Sequence, residues 1–202
     1  LAELFSDFGR QFPERRDEAR AQAVAALLLA RNSVSGPLTL KLADGLLLLG
    51  EGDQAAQTYR LFLERETATP NLRELIRTKL TDIYLRQSDR ARAIAQLTAL
   101  VQENPANAGA HYFLGVLAMQ EQRWDDAVGC FQRALEIRPN FEAAQLDLAT
   151  AHLAAGRAAE VLTVLESLRA TKPQDFSVEY LSGMACYEQE DYGQALKYFQ
   201  AE

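Results

Sequence analysis

At 202 residues, with 48% hydrophobic residues and a formal net charge of −7, the chain has material for one or two ordinary domains or for an array of short repeats. Its acidity argues against nucleic acid as a partner, because phosphate binding needs a basic face that the sequence does not supply. A bilayer span needs about 20 apolar residues; the longest apolar run, Ala21 to Ala30, falls short and contains Gln22, so no membrane insertion is expected.

Residues 1–36 open with a short amphipathic run (Leu4, Phe5, Phe8, Phe12), then Pro13, then an Ala-rich run to about Asn32 with Ala25, Leu28 and Leu29 at helical spacing. Two helices are expected there, as a degenerate repeat or a helical cap. From that point prolines set a frame. Pro37, Pro70, Pro105, Pro139 and Pro173 lie 33, 35, 34 and 34 residues apart, and proline belongs between helices rather than inside them. An array over 37–202 follows, with units at about 38–73, 74–107, 108–141, 142–175 and 176–202, the last incomplete. Asn71, Asn107, Asn140 and Asp175 stand just after the prolines and are expected to cap the next helix. The chain opens on Leu1 rather than Met and stops before a closing proline in its last unit, so it is read as a fragment or a processed product.

The unit from Ala108 to Phe141 has the clearest pattern. His111, Leu114, Gly115 and Ala118 fall on one helical face, and Ala127, Phe131, Ala134 and Leu135 make the next stripe, with Asp125 and Asp126 at its start. Gly115 and Ala127 are expected to let the two helices approach, with Phe131 and Leu114 filling the seam beyond them. The other units keep parts of this pattern: Leu46 to Leu49 with Gly50-Glu51-Gly52, then Leu80, Tyr84, Ala93 and Leu97, then Leu148, Ala149, Gly156 and Leu165, then Gly183, Ala195 and Phe199.

Leu114, Gly115, Ala127, Phe131, Ala134 and Pro139 within one 34-residue period resemble a tetratricopeptide repeat. The departures are His111 where that family favours Trp, Ala118 where it favours Tyr, and Thr81 where it favours Gly. The resemblance covers roughly Leu38 to Glu202 and implies an all-α, right-handed α-solenoid of antiparallel helix pairs with no strands. It also implies a protein-interaction scaffold that holds a peptide or partner domain in a concave groove. The alternative is the repeat arm of a larger enzyme, or of a secretion or polysaccharide-export assembly, whose working domain lies elsewhere.

In the resembling family the groove is lined by the first helix of each pair, on the face away from the Leu-Gly seam. Here that face carries Tyr112, Val116 and Met119, then Leu146, Thr150 and Leu153, then Tyr180, Met184 and Tyr187. Both methionines of the chain fall there, which suits an adaptable apolar surface. Chaperone-binding members clamp a terminal carboxylate with Lys and Asn at places that hold Tyr112, Val116, Leu146 and Thr150 here. Thr78 and Asp82 hold the same places one unit earlier, and Asp82 would repel an acidic tail. An apolar or aromatic ligand is therefore expected.

No glycine-rich phosphate loop, paired-His metal motif or nucleophile elbow is found in the sequence. No catalysis, cofactor or metal is expected of it. His111 and His152 read as packed structural residues, and Cys130 and Cys186 as small apolar ones. Asp125 with Asp126, and Glu188 with Glu190 and Asp191, read as helix-opening carboxylates rather than acid/base pairs. The C-terminal end is the most acidic stretch, with five carboxylates from Phe176 onward against Lys197 alone. Leu196, Tyr198 and Phe199 are expected to lie uncovered there and to favour self-association. Arg outnumbers Lys 17 to 4 and Ala is abundant, as in bacteria with GC-rich genomes. Bacterial cytoplasm and periplasm both remain open.

Overall fold

The computed structural model describes residues 16–31, 37–65, 68–173 and 175–200. The expected helix at Leu4 to Phe12 lies outside them. Eleven helices and no strand occur among the described residues: α1 (Arg16–Arg31), α2 (Pro37–Leu48), α3 (Gly52–Arg65), α4 (Pro70–Arg86), α5 (Arg90–Glu103), α6 (Ala108–Gln120), α7 (Trp124–Ile137), α8 (Glu142–Ala154), α9 (Ala158–Thr171), α10 (Phe176–Glu188) and α11 (Tyr192–Phe199). They divide between two compact units, Leu1–Gln96 and Leu97–Glu202, with the boundary inside α5.

Five first helices end in the same way. One residue turns left-handed: Gly50 (φ +80°), Ser88 (+58°), Gln122 (+58°), Gly156 (+73°) and Glu190 (+62°). The next N–H then reaches the carbonyl five residues back, from Glu51 to Leu46 (2.9 Å), Asp89 to Tyr84 (2.8 Å), Arg123 to Ala118, Arg157 to His152 and Asp191 to Cys186 (each 2.9 Å). This closure satisfies carbonyls that the helix end would otherwise leave unpaired. Only Gly50 and Gly156 adopt it without a Cβ penalty; the others pay about 1 kcal/mol.

Caps at the other helix ends follow the sequence only in part. Asn107 accepts from the Ala110 N–H at 2.7 Å, and Asp175 from the Ser177 N–H at 3.0 Å. Asn71 and Asn140 do not cap. Pro70 already occupies the first turn of α4, its fixed φ having started the helix, so the cap position falls on Thr69. In α8 the cap is Phe141, which leaves Asn140 one residue too early.

In the first unit α1 packs on α2, α2 on α3 and α3 on α4. The core holds Leu46, Tyr59, Phe62, Ile76, Leu80, Ile83 and Tyr84, all buried. Asp44 ties this packing together, accepting from the Tyr59 hydroxyl and from Lys79 Nζ at 2.5 Å. Burial and the adjacent Asp44 carboxylate push the Tyr59 phenol far above its ordinary range.

In the second unit α6 pairs with α7, α8 with α9 and α10 with α11; α8 also packs on α7, and α10 on α9. Successive first helices α6, α8 and α10 touch as well. The seam differs from the sequence expectation in one respect. Gly115 faces the ring of Phe131, not Ala127, and a Cβ on Gly115 would lie 2.6 Å from Phe131 Cε1. A tight turn brings together residues equidistant from it, so Gly115 meets Phe131 while Ala127 joins Ala118, Leu148 and Ala151 in one buried cluster. Gly183 and Phe199 repeat the glycine-ring contact. Between them Ala149 and Leu165 hold the same repeat positions, both 0% exposed. A slightly larger residue on one helix is matched there by a smaller one on the other.

Two outcomes test this account. Gly115→Ala should cost about 1–3 kcal/mol of unfolding free energy, with part regained when Phe131→Leu is added; full additivity of the two in urea melts would show that they do not share the seam. A Cβ at Gly156 would meet no described atom within 4 Å, so the cost of Gly156→Ala, about 1 kcal/mol, is backbone strain alone. Gln122→Gly should gain a similar amount, and matching thermal melts of the two variants would contradict the shared turn.

Candidate functional site

The nine residues expected on the groove lie on α6, α8 and α10, all in the second unit. Their environments change along the series. On α6, Tyr112 is half-buried, its ring centroid 4.8 Å from that of Phe141 and 5.8 Å from that of Phe131. The Arg138 guanidinium covers Phe141 from 3.4 Å, and the Tyr112 hydroxyl donates to Asp147 Oδ2 of α8 at 2.9 Å. Burial, then the Asp147 carboxylate, push the Tyr112 phenol up to about 12. Val116 and Met119 are half-buried against Ala118, Ala127, Phe131 and Leu148.

On α8, Leu146 and Leu153 pack on the cluster of Ala149, Val161, Leu165, Val178 and Ala185. Thr150 donates its hydroxyl to the Leu146 carbonyl at 2.9 Å. On α10 the face opens. Tyr180 is 48% and Tyr187 54% exposed, with Met184 half-buried between them. Tyr180 stacks on Phe176, with centroids 5.9 Å apart and planes at 17°, and Tyr187 meets Tyr192 edge-on at 5.4 Å. The sequence reading missed exposed Phe113 on α6, whose ring lies 5.4 Å from Tyr112; its place one residue along from Tyr112 was the available signal.

Thr78 and Asp82 lie in the first unit. Thr78 bonds its own helix at the Glu74 carbonyl, and Asp82 pairs with Arg86 at 2.9 Å, which offsets the charge expected to repel an acidic tail.

Among the described residues, most of the exposed aromatic side chains lie toward the C-terminal end. Phe176 (72%), Tyr192 and Leu196 (55%) are exposed, as is Phe199 at 41%. Tyr198 is not open. Arg169 of α9 lies 4.6 Å over its ring, donates to its hydroxyl at 3.2 Å, and reaches Ser182 Oγ (2.5 Å) and Glu179 (3.3 Å) of α10. One guanidinium thus joins three helices.

The titratable candidates have structural surroundings. Asp125 and Asp126 sit in the first turn of α7 and pair with Arg157 and Arg123. Glu188 closes α10 rather than opening α11, and of that cluster only Asp191 caps, accepting from the Gln194 N–H at 3.1 Å. His111 Nε2 lies 3.2 Å from the Pro105 carbonyl. Burial raises both cysteine thiols, which disfavours the reactive thiolate. Among the described residues no group of His, Cys, Asp or Glu is arranged to hold a metal ion, and no helix is long and apolar enough to cross a membrane.

Helix pairs whose left-handed turns fall every 34 residues from Ser88 to Glu190, with first helix touching first helix from α6 to α10, define a tetratricopeptide repeat protein. The family described as the cytochrome c-type biogenesis protein H TPR domain matches residues 65–201. The chain belongs to that family. Solved structures share the fold. The crystal structure of MamA protein has a TM-score of 0.71 at 22% identity, covering 81% of this chain and 87% of that one. MamA from Desulfovibrio magneticus RS-1 has a TM-score of 0.67 at 14% identity, over 82% and 93%. YrrB, described as a TPR protein with an unusual peptide-binding site, has a TM-score of 0.70 at 16% identity, over 100% and 91%. No curated protein sequence matches the chain.

His152, 5% exposed on α8 with Nδ1 unpartnered, supplies a pH test. Burial lowers its pKa, with Arg157 lowering it further against Glu160. The unfolded chain therefore takes up the proton more readily, and the stability held above about pH 6.5 should decline as pH falls below it, levelling under the folded-state value. Urea midpoints measured from about pH 8 to about pH 5 should drop for the parent and drop less for His152→Leu; parallel curves would dismiss the histidine as the cause.

Proposed function

We propose that the chain is a protein-interaction scaffold that takes a partner segment with apolar or aromatic side chains along the face of α6, α8 and α10, and that it serves cytochrome c-type biogenesis. The observation that carries this reading is the uncharged character of that face. Nine corresponding positions on three consecutive first helices hold three tyrosines, two methionines, three leucines or valines at half-buried depth, and Thr150. Their exposure rises toward α10. Tyr112, Val116, Met119, Leu146, Thr150 and Leu153 form a packed floor, and Tyr180, Met184 and Tyr187 offer the reachable surface.

Aromatic rings with one wet edge are suited to such contacts, since they bury large area at small entropic cost and keep a hydroxyl for hydrogen bonding. The family's description supports the cellular setting, and the peptide-binding site named for YrrB supports a peptide as the kind of ligand.

A photo-crosslinking residue at Met184 should trap the partner, which mass spectrometry would identify. Titration calorimetry with that partner should then show affinity falling about tenfold or more for Tyr187→Ala combined with Met184→Ala, with helicity unchanged. Equal affinity would remove this face from consideration. Tyr112→Ala is unsuitable, because it also breaks the Asp147 bond and the Phe131 packing.

A further inference from the structure

Three polar side chains of the second unit stand where the preceding repeat has apolar ones. Leu135 of α7, Leu148 of α8 and Val164 of α9 pack in one cluster with Phe131. Their counterparts 34 residues later are Arg169 of α9, Ser182 of α10 and Tyr198 of α11. There the contact is made by hydrogen bonds. The Arg169 guanidinium donates to Ser182 Oγ at 2.5 Å, to the Tyr198 hydroxyl at 3.2 Å and to Glu179 Oε1 at 3.3 Å. Apolar contacts are non-directional, whereas hydrogen bonds weaken steeply away from their geometry, so the polar set selects one register of α11 against α10.

That register places the next residue of each helix. Gly183 follows Ser182 and Phe199 follows Tyr198, and the Phe199 ring lies on bare Gly183 backbone, in the space a Cβ would need. Tyr180 completes the group: its ring is 6.2 Å from that of Phe199 and 5.9 Å from that of Phe176. Two repeats earlier the same trio is Tyr112, Gly115 and Phe131, with the Tyr112 and Phe131 rings 5.8 Å apart. In that copy Asp147 also accepts from the Tyr112 hydroxyl. Tyr180 is 48% exposed and stands between two rings, one of them carried by α11.

We propose that Arg169 is a positioning residue for the first-helix face: by tying α11 to Ser182 it holds Phe199 on Gly183, and Phe199 sets the Tyr180 ring for contact with the partner segment. The partner's place in this proposal rests on the first-helix reading. Docking of α11 and occupation of the face by the segment then favour each other, since each is stronger when the other is in place.

The full chain with isotope-labelled tyrosine rings reports Tyr180 before any partner is added. Phe199→Leu removes one flanking ring and should shift the Tyr180 signals. Arg169→Leu should shift them in the same direction, and the double variant no further than Phe199→Leu alone, because the two residues act through one contact. Tyr198→Phe, which keeps the ring and removes the acceptor, should move them part of the way. Signals that either Arg169→Leu or Tyr198→Phe leaves in place, or additive shifts in the double variant, would overturn the proposal. If Arg169→Leu also strips amide protection from α8 and α9, Tyr198→Phe alone decides. For the partner trapped at Met184, Arg169→Leu should lower affinity about fivefold or more. If Tyr187→Ala with Met184→Ala binds as the parent does, the first-helix reading fails and the Tyr180 shifts still decide the positioning role. If that pair weakens binding and Arg169→Leu does not, the positioning proposal fails by itself.

Discussion

A turn closed by one left-handed residue fixes which side chains can meet. Once the chain reverses within three residues, positions equidistant from the turn are brought together, and the sizes of those pairs decide how closely the helices approach. Gly115 with Phe131 and Gly183 with Phe199 take the closest form of the seam, a ring laid on bare backbone. Ala149 and Leu165 take an intermediate form. Stacking of one pair on the next depends on this spacing, because a helix pair alone cannot bury its apolar stripe.

The fold was legible because its determinants recur. Proline spacing, the Leu114-Gly115 pair and the alanine and phenylalanine of the second helix place the helix pairs without reference to any long-range contact. The turns were legible only at Gly50 and Gly156. Ser88, Gln122 and Glu190 take the same left-handed conformation with nothing in their side chains to announce it, since the cooperative closure of two helices outweighs a penalty of about 1 kcal/mol. Asn71 and Asn140 failed as caps because a cap depends on where the helix starts to within one residue, and Pro70 and Phe141 set that start.

Chemistry at the surface was legible by face and not by depth. Helical spacing puts Tyr112, Leu146 and Tyr180 at equivalent places, but no pattern in the sequence distinguishes a tyrosine tied to Asp147 from one stacked in the open on Phe176. Exposure depends on what the neighbouring unit presents. Tyr112 has Phe141 and Asp147 against it, whereas Tyr180 has Phe176 and Phe199. The Arg169 contacts were equally silent, since they join one residue of α9 to two of α10 and one of α11.

Arg169 has a consequence for how the second unit comes apart. Helix α11 is eight residues long and buries only Ala195 below a tenth of its surface among its described residues, so propensity and core packing hold it weakly. The guanidinium spans α9, α10 and Tyr198 of α11 with charge-assisted bonds, which are stronger than neutral ones and need precise placement. Local opening of this end is therefore coupled to a single side chain, and amide exchange along α10 and α11 should proceed as one cooperative event governed by that contact.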